Sequence, residues 1–103
     1  MQRLRFLNFF RRNSEKVQIP SYIKKINSYA FDRCDQLKYL TFEAESSLET
    51  IDKNAISYNH NLKSIVFHPS LKFICETSIY CNYKLKLVEF LGQHAKITGF
   101  CFN

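Results

Sequence analysis

Histidine and cysteine are the side chains of this sequence that could bind a metal ion or act as nucleophiles. His60, His68 and His94 stand at unrelated intervals and do not pair at the short spacings that zinc sites use. The four cysteines contain no C-x-x-C pair; they are Cys34, Cys75, Cys81 and Cys101. The sequence therefore predicts no metal site. It favours buried thiols that pack as small apolar side chains, and that pattern is more typical of a reducing compartment.

Carboxylates cluster in one stretch, and a pair of them could in principle serve as acid and base. They are Glu43, Glu45, Glu49 and Asp52. No apolar sequence around them predicts a pocket, so we expect a solvated acidic loop. No Ser, His and Asp set can be placed, and neither Gly92 nor Gly99 lies in a phosphate-binding motif. We therefore expect a non-catalytic protein with no cofactor and no small-molecule substrate.

The cysteines and asparagines occupy positions in a repeat that organises most of the chain. Leu37, Leu62 and Leu85 are separated by 25 and then 23 residues. The same steps link three further sets: Leu40, Ile65 and Val88; Phe42, Phe67 and Phe90; and the small residues Ala30, Ala55, Ser78 and Cys101. A period of this length predicts a solenoid, in which each coil buries its apolar side chains against its neighbours.

The repeat unit resembles that of a known family. Its first half matches the leucine-rich pattern L-x-x-L-x-L, and residues 19–37, IPSYIKKINSYAFDRCDQL, resemble the BspA-like leucine-rich repeat unit. The resemblance covers residues 17–103. It implies an α/β fold: a right-handed leucine-rich repeat solenoid with one short parallel sheet and short helical turns on the opposite side. We expect units at 17–39, 40–64 and 65–87, and a truncated unit at 88–103.

Within a unit, the alternation of a strand decides which residues face the core. We predict parallel strands at 38–42 and 63–67, a helical turn at 30–34 and a bulging loop at 43–48. Phe31, Phe42, Phe67 and Phe90 are predicted to be almost fully buried. Asn59 and Asn82 are expected to bond the buried backbone where each coil turns. Cys34 stands at the same position.

The outward residues of the strands are the candidate binding surface, as expected for leucine-rich repeats. They form columns that cross the coils, and the protein-binding candidates are Lys38, Lys63, Lys86, Tyr39, Val66, Leu87 and Glu89. Lysines stacked one per coil repel each other unless an acidic partner faces them. The alternative is that lysine is a common surface residue after the first leucine of the unit. Tyr58, Tyr80 and Tyr83 form a second set of surface aromatics.

Residues 1–16 lie outside the repeat as the sequence defines it. The net charge of the chain is +6, and this segment holds four arginines without an acid before Glu15: Arg3, Arg5, Arg11 and Arg12. It is interpreted as an N-terminal cap, with Leu4, Leu7 and Phe10 at helical spacing, or as a basic docking arm for an acidic protein or a phosphate backbone. An organelle-targeting presequence is a third interpretation.

Two classes of function follow. The first is a protein-interaction or structural module within a larger hetero-assembly, with contacts at the truncated end through Phe90, Ile97 and Phe102. The second is a component of a nucleoprotein assembly that docks nucleic acid through the arginines. The family resemblance adds surface adhesion proteins, of which this chain would be a fragment. No apolar run is long enough to span a membrane, and we expect an intracellular, cytoplasmic location, with cell surface or organelle left open.

Overall fold

The structure is a computed structural model that describes residues 6–7, 14–91 and 96–97. These residues form eleven short strands: β1 Phe6–Leu7, β2 Lys16–Ile19, β3 Lys25–Ile26, β4 Phe31–Asp32, β5 Tyr39–Phe42, β6 Thr50–Ile51, β7 Ile56–Ser57, β8 Ser64–Phe67, β9 Phe73–Ile74, β10 Leu87–Phe90 and β11 Lys96–Ile97. No helix occurs among the described residues, and so none there could cross a membrane.

Each strand pairs in parallel with its equivalent in the next coil. Three sheets result. The four-stranded sheet has the order β2-β5-β8-β10, the five-stranded sheet the order β1-β3-β6-β9-β11, and the two-stranded sheet consists of β4 and β7. The chain thus winds as a β-solenoid, and the predicted parallel pairing of residues 38–42 with 63–67 is confirmed, since Leu40 lies opposite Ile65.

Alternation of apolar and polar residues explains why the four-residue strands form one side of the solenoid. In β5, Leu40 and Phe42 are buried, whereas Tyr39 and Thr41 are partly exposed. The same alternation holds in β2 and β8. Parallel stacking brings the inward residues of successive coils together, so that one apolar cluster runs through the whole solenoid.

The prediction of a single sheet opposite helical turns is wrong for the described residues. Residues 30–34, predicted as a helical turn, contain the strand Phe31–Asp32, which pairs with Ile56–Ser57. The residues on either side, Tyr29 and Arg33, have φ values of 64° and 55°. These left-handed conformations interrupt any run of helical dihedrals, and the N–H groups of Phe31 and Arg33 donate to carbonyls of the next coil.

The register between coils also accounts for the unequal repeat length. Ile19 pairs with Phe42, but Ile26 pairs with Ile51, so the second coil has two additional residues between these points. They lie in the stretch that was predicted as a bulging loop. The loop is tied down: Glu43 accepts a hydrogen bond from the backbone N–H of Ser21 (2.7 Å), and Ser70 donates one to the carbonyl of Leu48 (2.7 Å). Acidic side chains here therefore stabilise the stacking of coils.

Candidate protein-interaction face

The outward side of the four-stranded sheet, here called the outer face, carries most of the predicted binding residues. Three lysines precede its strands, and backbone hydrogen bonds stack them in order: the N–H of Lys63 donates to the carbonyl of Lys38 (2.8 Å), and the N–H of Lys86 to that of Lys63 (3.0 Å). We call Lys38, Lys63 and Lys86 the lysine column. Their registration is set by the sheet and does not depend on the side chains.

The lysine column is only partly neutralised. The Nζ of Lys38 lies 3.4 Å from a carboxylate oxygen of Glu15, and both side chains are open to solvent. Among the residues described, Lys63 and Lys86 form no ion pair, and both are exposed. Like charges in adjacent strands of a sheet destabilise it slightly. The column therefore presents two cations without a carboxylate of this chain beside them.

An apolar column runs beside the lysines. Ser64 lies opposite Tyr39 on one side and Leu87 on the other. The side chain of Leu87 is 46% exposed, and that of Leu91, which follows the strand, is 50% exposed. Two large side chains thus flank a small one across three coils.

A third column completes the outer face. Gln18 lies opposite Thr41, and Val66 opposite Glu89. Val66 is half-buried and Glu89 exposed, while the hydroxyl of Thr41 is taken up by the carbonyl of Val17 (3.4 Å). Of the predicted candidates, Tyr39, Val66, Leu87 and Glu89 thus lie at non-core positions of this sheet, and Lys38, Lys63 and Lys86 each directly precede one of its strands.

A stack of phenylalanine rings supports the outer face from below. The ring centroids of Phe42 and Phe67 are 5.4 Å apart, and those of Phe67 and Phe90 are 5.2 Å apart. Phe31, Phe42 and Phe67 are buried as predicted. The prediction of near-complete burial for Phe90 is wrong, because it is only half-buried and packs against the edge of the core.

Asparagine side chains fix the turn that leads into each long strand. The Oδ1 of Asn59 accepts a hydrogen bond from the N–H of Cys34 (2.8 Å), and its Nδ2 donates to the carbonyl of Phe31 (3.0 Å). Asn82 repeats this one coil later, toward Asn59 and Ile56. The predicted structural role of both asparagines is therefore confirmed. Each satisfies buried backbone groups that water cannot reach.

Sequence reasoning missed a second regular feature, the residues in left-handed conformation. Two occur in each coil at the same repeat positions: Tyr29, Asn54 and Thr77 precede the small buried residue, and Arg33, Tyr58 and Cys81 precede the Cys or Asn of the turn. Glycine usually marks such positions, and none is present at these. The only signal in the sequence was Asn54, since asparagine tolerates this conformation best among the non-glycine residues.

The surface tyrosines do cluster, on the side of the two-stranded sheet. Tyr58 and Tyr80 meet edge to face with centroids 5.7 Å apart, and the guanidinium of Arg33 lies 4.6 Å from the Tyr58 ring. The ring of Tyr83, 68% exposed, lies 6.0 Å from His60. The Cys81 side chain, by hydrogen bonding and by its charge when ionised, raises the pKa of both Tyr80 and Tyr83 above the ordinary value.

The potential metal ligands are not brought together. Within residues 14–91, no three His, Cys, Asp or Glu side chains form a group that could hold a metal ion. Cys34, Cys75 and Cys81 are thiols. Cys81 is buried and Cys75 is half-buried. Cys101 lies outside the described residues, as does His94.

The predicted sites at the two ends are described only in part. The arginines Arg3, Arg5, Arg11 and Arg12, and Phe102, lie outside the described residues. Ile97 belongs to β11, whose backbone pairs with β9. At the other end, β1 pairs in parallel with β3, so that the five-stranded sheet reaches back to Phe6.

Comparison with known proteins gives one match. The description "BspA type Leucine rich repeat region" matches residues 5–103 in 6 copies. The match includes most of the basic segment that the sequence pattern alone left outside the repeat. No curated protein and no solved structure matches the chain.

Proposed function

Because the chain belongs to the BspA-type leucine-rich repeat family, we propose that it is a non-catalytic protein-interaction module that works as a subunit of a larger assembly. The repeat family itself suggests a protein-interaction or structural role. A solenoid of stacked repeats offers a broad, regular surface for binding. Function in such proteins resides in the residues placed on that surface.

The proposed binding surface is the outer face of the four-stranded sheet. The observation that carries this proposal is that Lys63 and Lys86, without a described carboxylate beside them, lie next to the exposed side chain of Leu87. A partner carboxylate would relieve the repulsion within the lysine column. Burial of an exposed leucine would contribute about 1–2 kcal/mol more. Together these favour a partner that is acidic and carries at least one apolar side chain.

The test is photo-crosslinking in the cells that make the protein. A benzoyl-phenylalanine placed at Leu87 is on the outer face, and the same residue placed at Lys53 is the matched control. Lys53 is exposed and lies between β6 of the five-stranded sheet and β7 of the two-stranded sheet. We expect discrete protein adducts from position 87 and none from position 53. Absence of a protein adduct at 87, or the same adducts from both positions, would overturn the proposal.

The arginine-rich segment supports a second candidate, a component of a nucleoprotein assembly. Four arginines within residues 1–16 would neutralise phosphates and release counterions, which makes affinity fall steeply with salt. In the same experiment, a crosslinked adduct that disappears on nuclease treatment would favour this candidate. Binding of the chain to single-stranded RNA, with a steep salt dependence that is lost in a variant with Arg11→Ala and Arg12→Ala, would support it directly.

A further inference from the structure

The lysine column has a spacing that is dictated by the backbone. Parallel strands lie about 4.8 Å apart, and the hydrogen bonds from Lys63 to Lys38 and from Lys86 to Lys63 place one lysine on each of three neighbouring coils. The three cations therefore stand at intervals of about 5 Å along the axis of the solenoid, over a total of about 10 Å.

This interval discriminates between the conformations that a partner could have. An extended strand places side chains on one face every two residues, about 6.6–6.8 Å apart, and would pass out of register by the third lysine. An α-helix rises about 1.5 Å per residue, so that residues i, i+3 and i+7 stand at 0, about 4.5 and about 10.5 Å. A helix that lies along the solenoid axis therefore matches the lysine column, and a strand does not.

The apolar column supplies the second half of the match. It lies one residue further along each strand than the lysines, and consists of Tyr39, Ser64 and Leu87. On a helix, residue i+4 lies to one side of the i, i+3 and i+7 residues and at the axial height of the middle coil. An apolar side chain there would lie over the small Ser64 and contact Tyr39 and Leu87 on either side.

We infer that the outer face binds an acidic, amphipathic α-helix of a partner protein, laid along the solenoid axis, with Asp or Glu at i, i+3 and i+7 and an apolar residue at i+4. This inference rests on the proposed function, since it names the kind of partner that the same face would bind. The acidic residues of the helix would face the lysine column, which fixes the rotation of the helix about its axis. The apolar residue would face the column of Tyr39, Ser64 and Leu87, and because it lies on one side of the acidic residues, it also fixes the direction of the helix.

The experiment compares three fluorescent peptides of about 20 residues, long enough for helix formation, against the whole chain by fluorescence anisotropy. The first is helical, with Glu at i, i+3 and i+7 and Leu at i+4. The second has the same composition and helicity, with its glutamates distributed around the helix. The third alternates Glu with β-branched residues and is extended. We expect the first to bind at least about tenfold more tightly than either of the others.

Variants of the chain locate the binding. Replacement of Lys63→Glu together with Lys86→Glu should abolish binding of the first peptide, and Lys53→Glu, a single charge reversal away from the outer face, should leave it unchanged. Lys63→Ala with Lys86→Ala serves where charge reversal lowers stability. Equal binding of the helical peptides, tighter binding of the extended one, or binding that survives both double variants would overturn the inference.

The two levels of the proposal fail separately. If none of the peptides binds while position 87 still gives a protein adduct in cells, the helical partner is wrong and the interaction face stands. If the adduct is also absent, both are wrong.

Discussion

The side-chain amide of Asn82 holds Asn59, its equivalent one coil earlier, at two points. Its Oδ1 accepts hydrogen bonds from the backbone N–H of Asn59 (3.0 Å) and from the Asn59 side-chain Nδ2 (3.1 Å). Asn59 in turn bonds Cys34 and Phe31 in the coil before it. These hydrogen bonds form a polar ladder through the apolar interior. The ladder fixes the register between neighbouring coils.

We predict that Asn59→Ala lowers the free energy of unfolding by about 2–5 kcal/mol. The change removes the acceptor that Asn59 gives to the buried N–H of Cys34 and the donor that it gives to the carbonyl of Phe31, and the loss of a buried partner costs about 1–3 kcal/mol. Urea denaturation measures the effect. Asn61→Ala is the matched control, because Asn61 bonds the carbonyl of Asp35 on the exposed surface (2.7 Å) and should cost less than about 1 kcal/mol. Equal losses would mean that the ladder contributes little.

The asparagine ladder and the four-residue strands could be predicted from the sequence because their residues recur at a fixed spacing. Leu40, Ile65 and Val88 predicted the inward positions, and the shared spacing of Asn59 and Asn82 predicted their turn. The five-stranded and two-stranded sheets could not be predicted from the sequence. Two-residue strands such as Phe31–Asp32 carry too few residues for an alternation to show, and the small-apolar pair that precedes a turn is equally compatible with a helix.

The composition of the proposed binding face could be predicted from the sequence, and its electrostatics could not. The sequence places Lys38, Lys63 and Lys86 in one column, but it does not show that Lys38 pairs with Glu15 while the other two lack such a partner. Nor does it show that Leu87, the first residue of its strand, remains 46% exposed, whereas Phe90, the last residue of the same strand, packs on Phe67. These facts depend on how neighbouring coils cover each other.

Replacement of Tyr29 tests whether the left-handed positions store strain. Tyr29 has a φ of 64° and an exposed side chain. A left-handed residue with a Cβ costs about 1–2 kcal/mol, which glycine avoids. We therefore predict that Tyr29→Gly is more stable than Tyr29→Ala by about 1 kcal/mol, since both remove the ring and only glycine relieves the backbone. Thermal melting of the two variants measures the difference, and a less stable glycine variant would contradict it.

Thiol labelling should follow burial. Cys75 is half-buried, whereas Cys34 and Cys81 are buried, so iodoacetamide should modify Cys75 first in the folded protein and the other two only after addition of denaturant. Peptide mass spectrometry locates each label. Intact mass with and without reductant is the control, since a disulfide would reduce the mass by two hydrogens. Modification of Cys81 before Cys75 would show that its turn opens readily.

Alkaline titration tests the contact between Cys81 and its tyrosines. Cys81 raises the pKa of Tyr80 and Tyr83, so both phenols should ionise later than the other tyrosines. Because the folded-state pKa is raised, the stability that these phenols contribute is present below the ordinary tyrosine value and is lost as pH rises through the folded value. Absorbance at the phenolate band measures the ionisation. Cys81→Ala should shift the late fraction to lower pH, and Cys75→Ala should not.

Ser78 is the one position where the repeat pattern and the physical chemistry of the core disagree. It stands at the small buried site that Ala30 and Ala55 occupy in the preceding coils, it is fully buried, and its hydroxyl alone among the described side chains is buried without a hydrogen-bond partner. We predict that Ser78→Ala raises the free energy of unfolding by about 1–2 kcal/mol, since it removes a hydroxyl whose burial is uncompensated.

Ser57→Ala is the matched control for this prediction. Ser57 is equally buried, but its hydroxyl lies 3.0 Å from a carboxylate oxygen of Asp32 and 3.1 Å from the carbonyl of Asn54. Its loss should lower the free energy of unfolding by about 1 kcal/mol or more, because a bonded hydroxyl is removed and the Asp32 carboxylate loses a donor. Denaturant titration of both variants beside the unmodified chain gives the two signs. If Ser78→Ala proves destabilising, the Ser78 hydroxyl forms a hydrogen bond in solution. The small buried site of the third coil would then need a polar side chain.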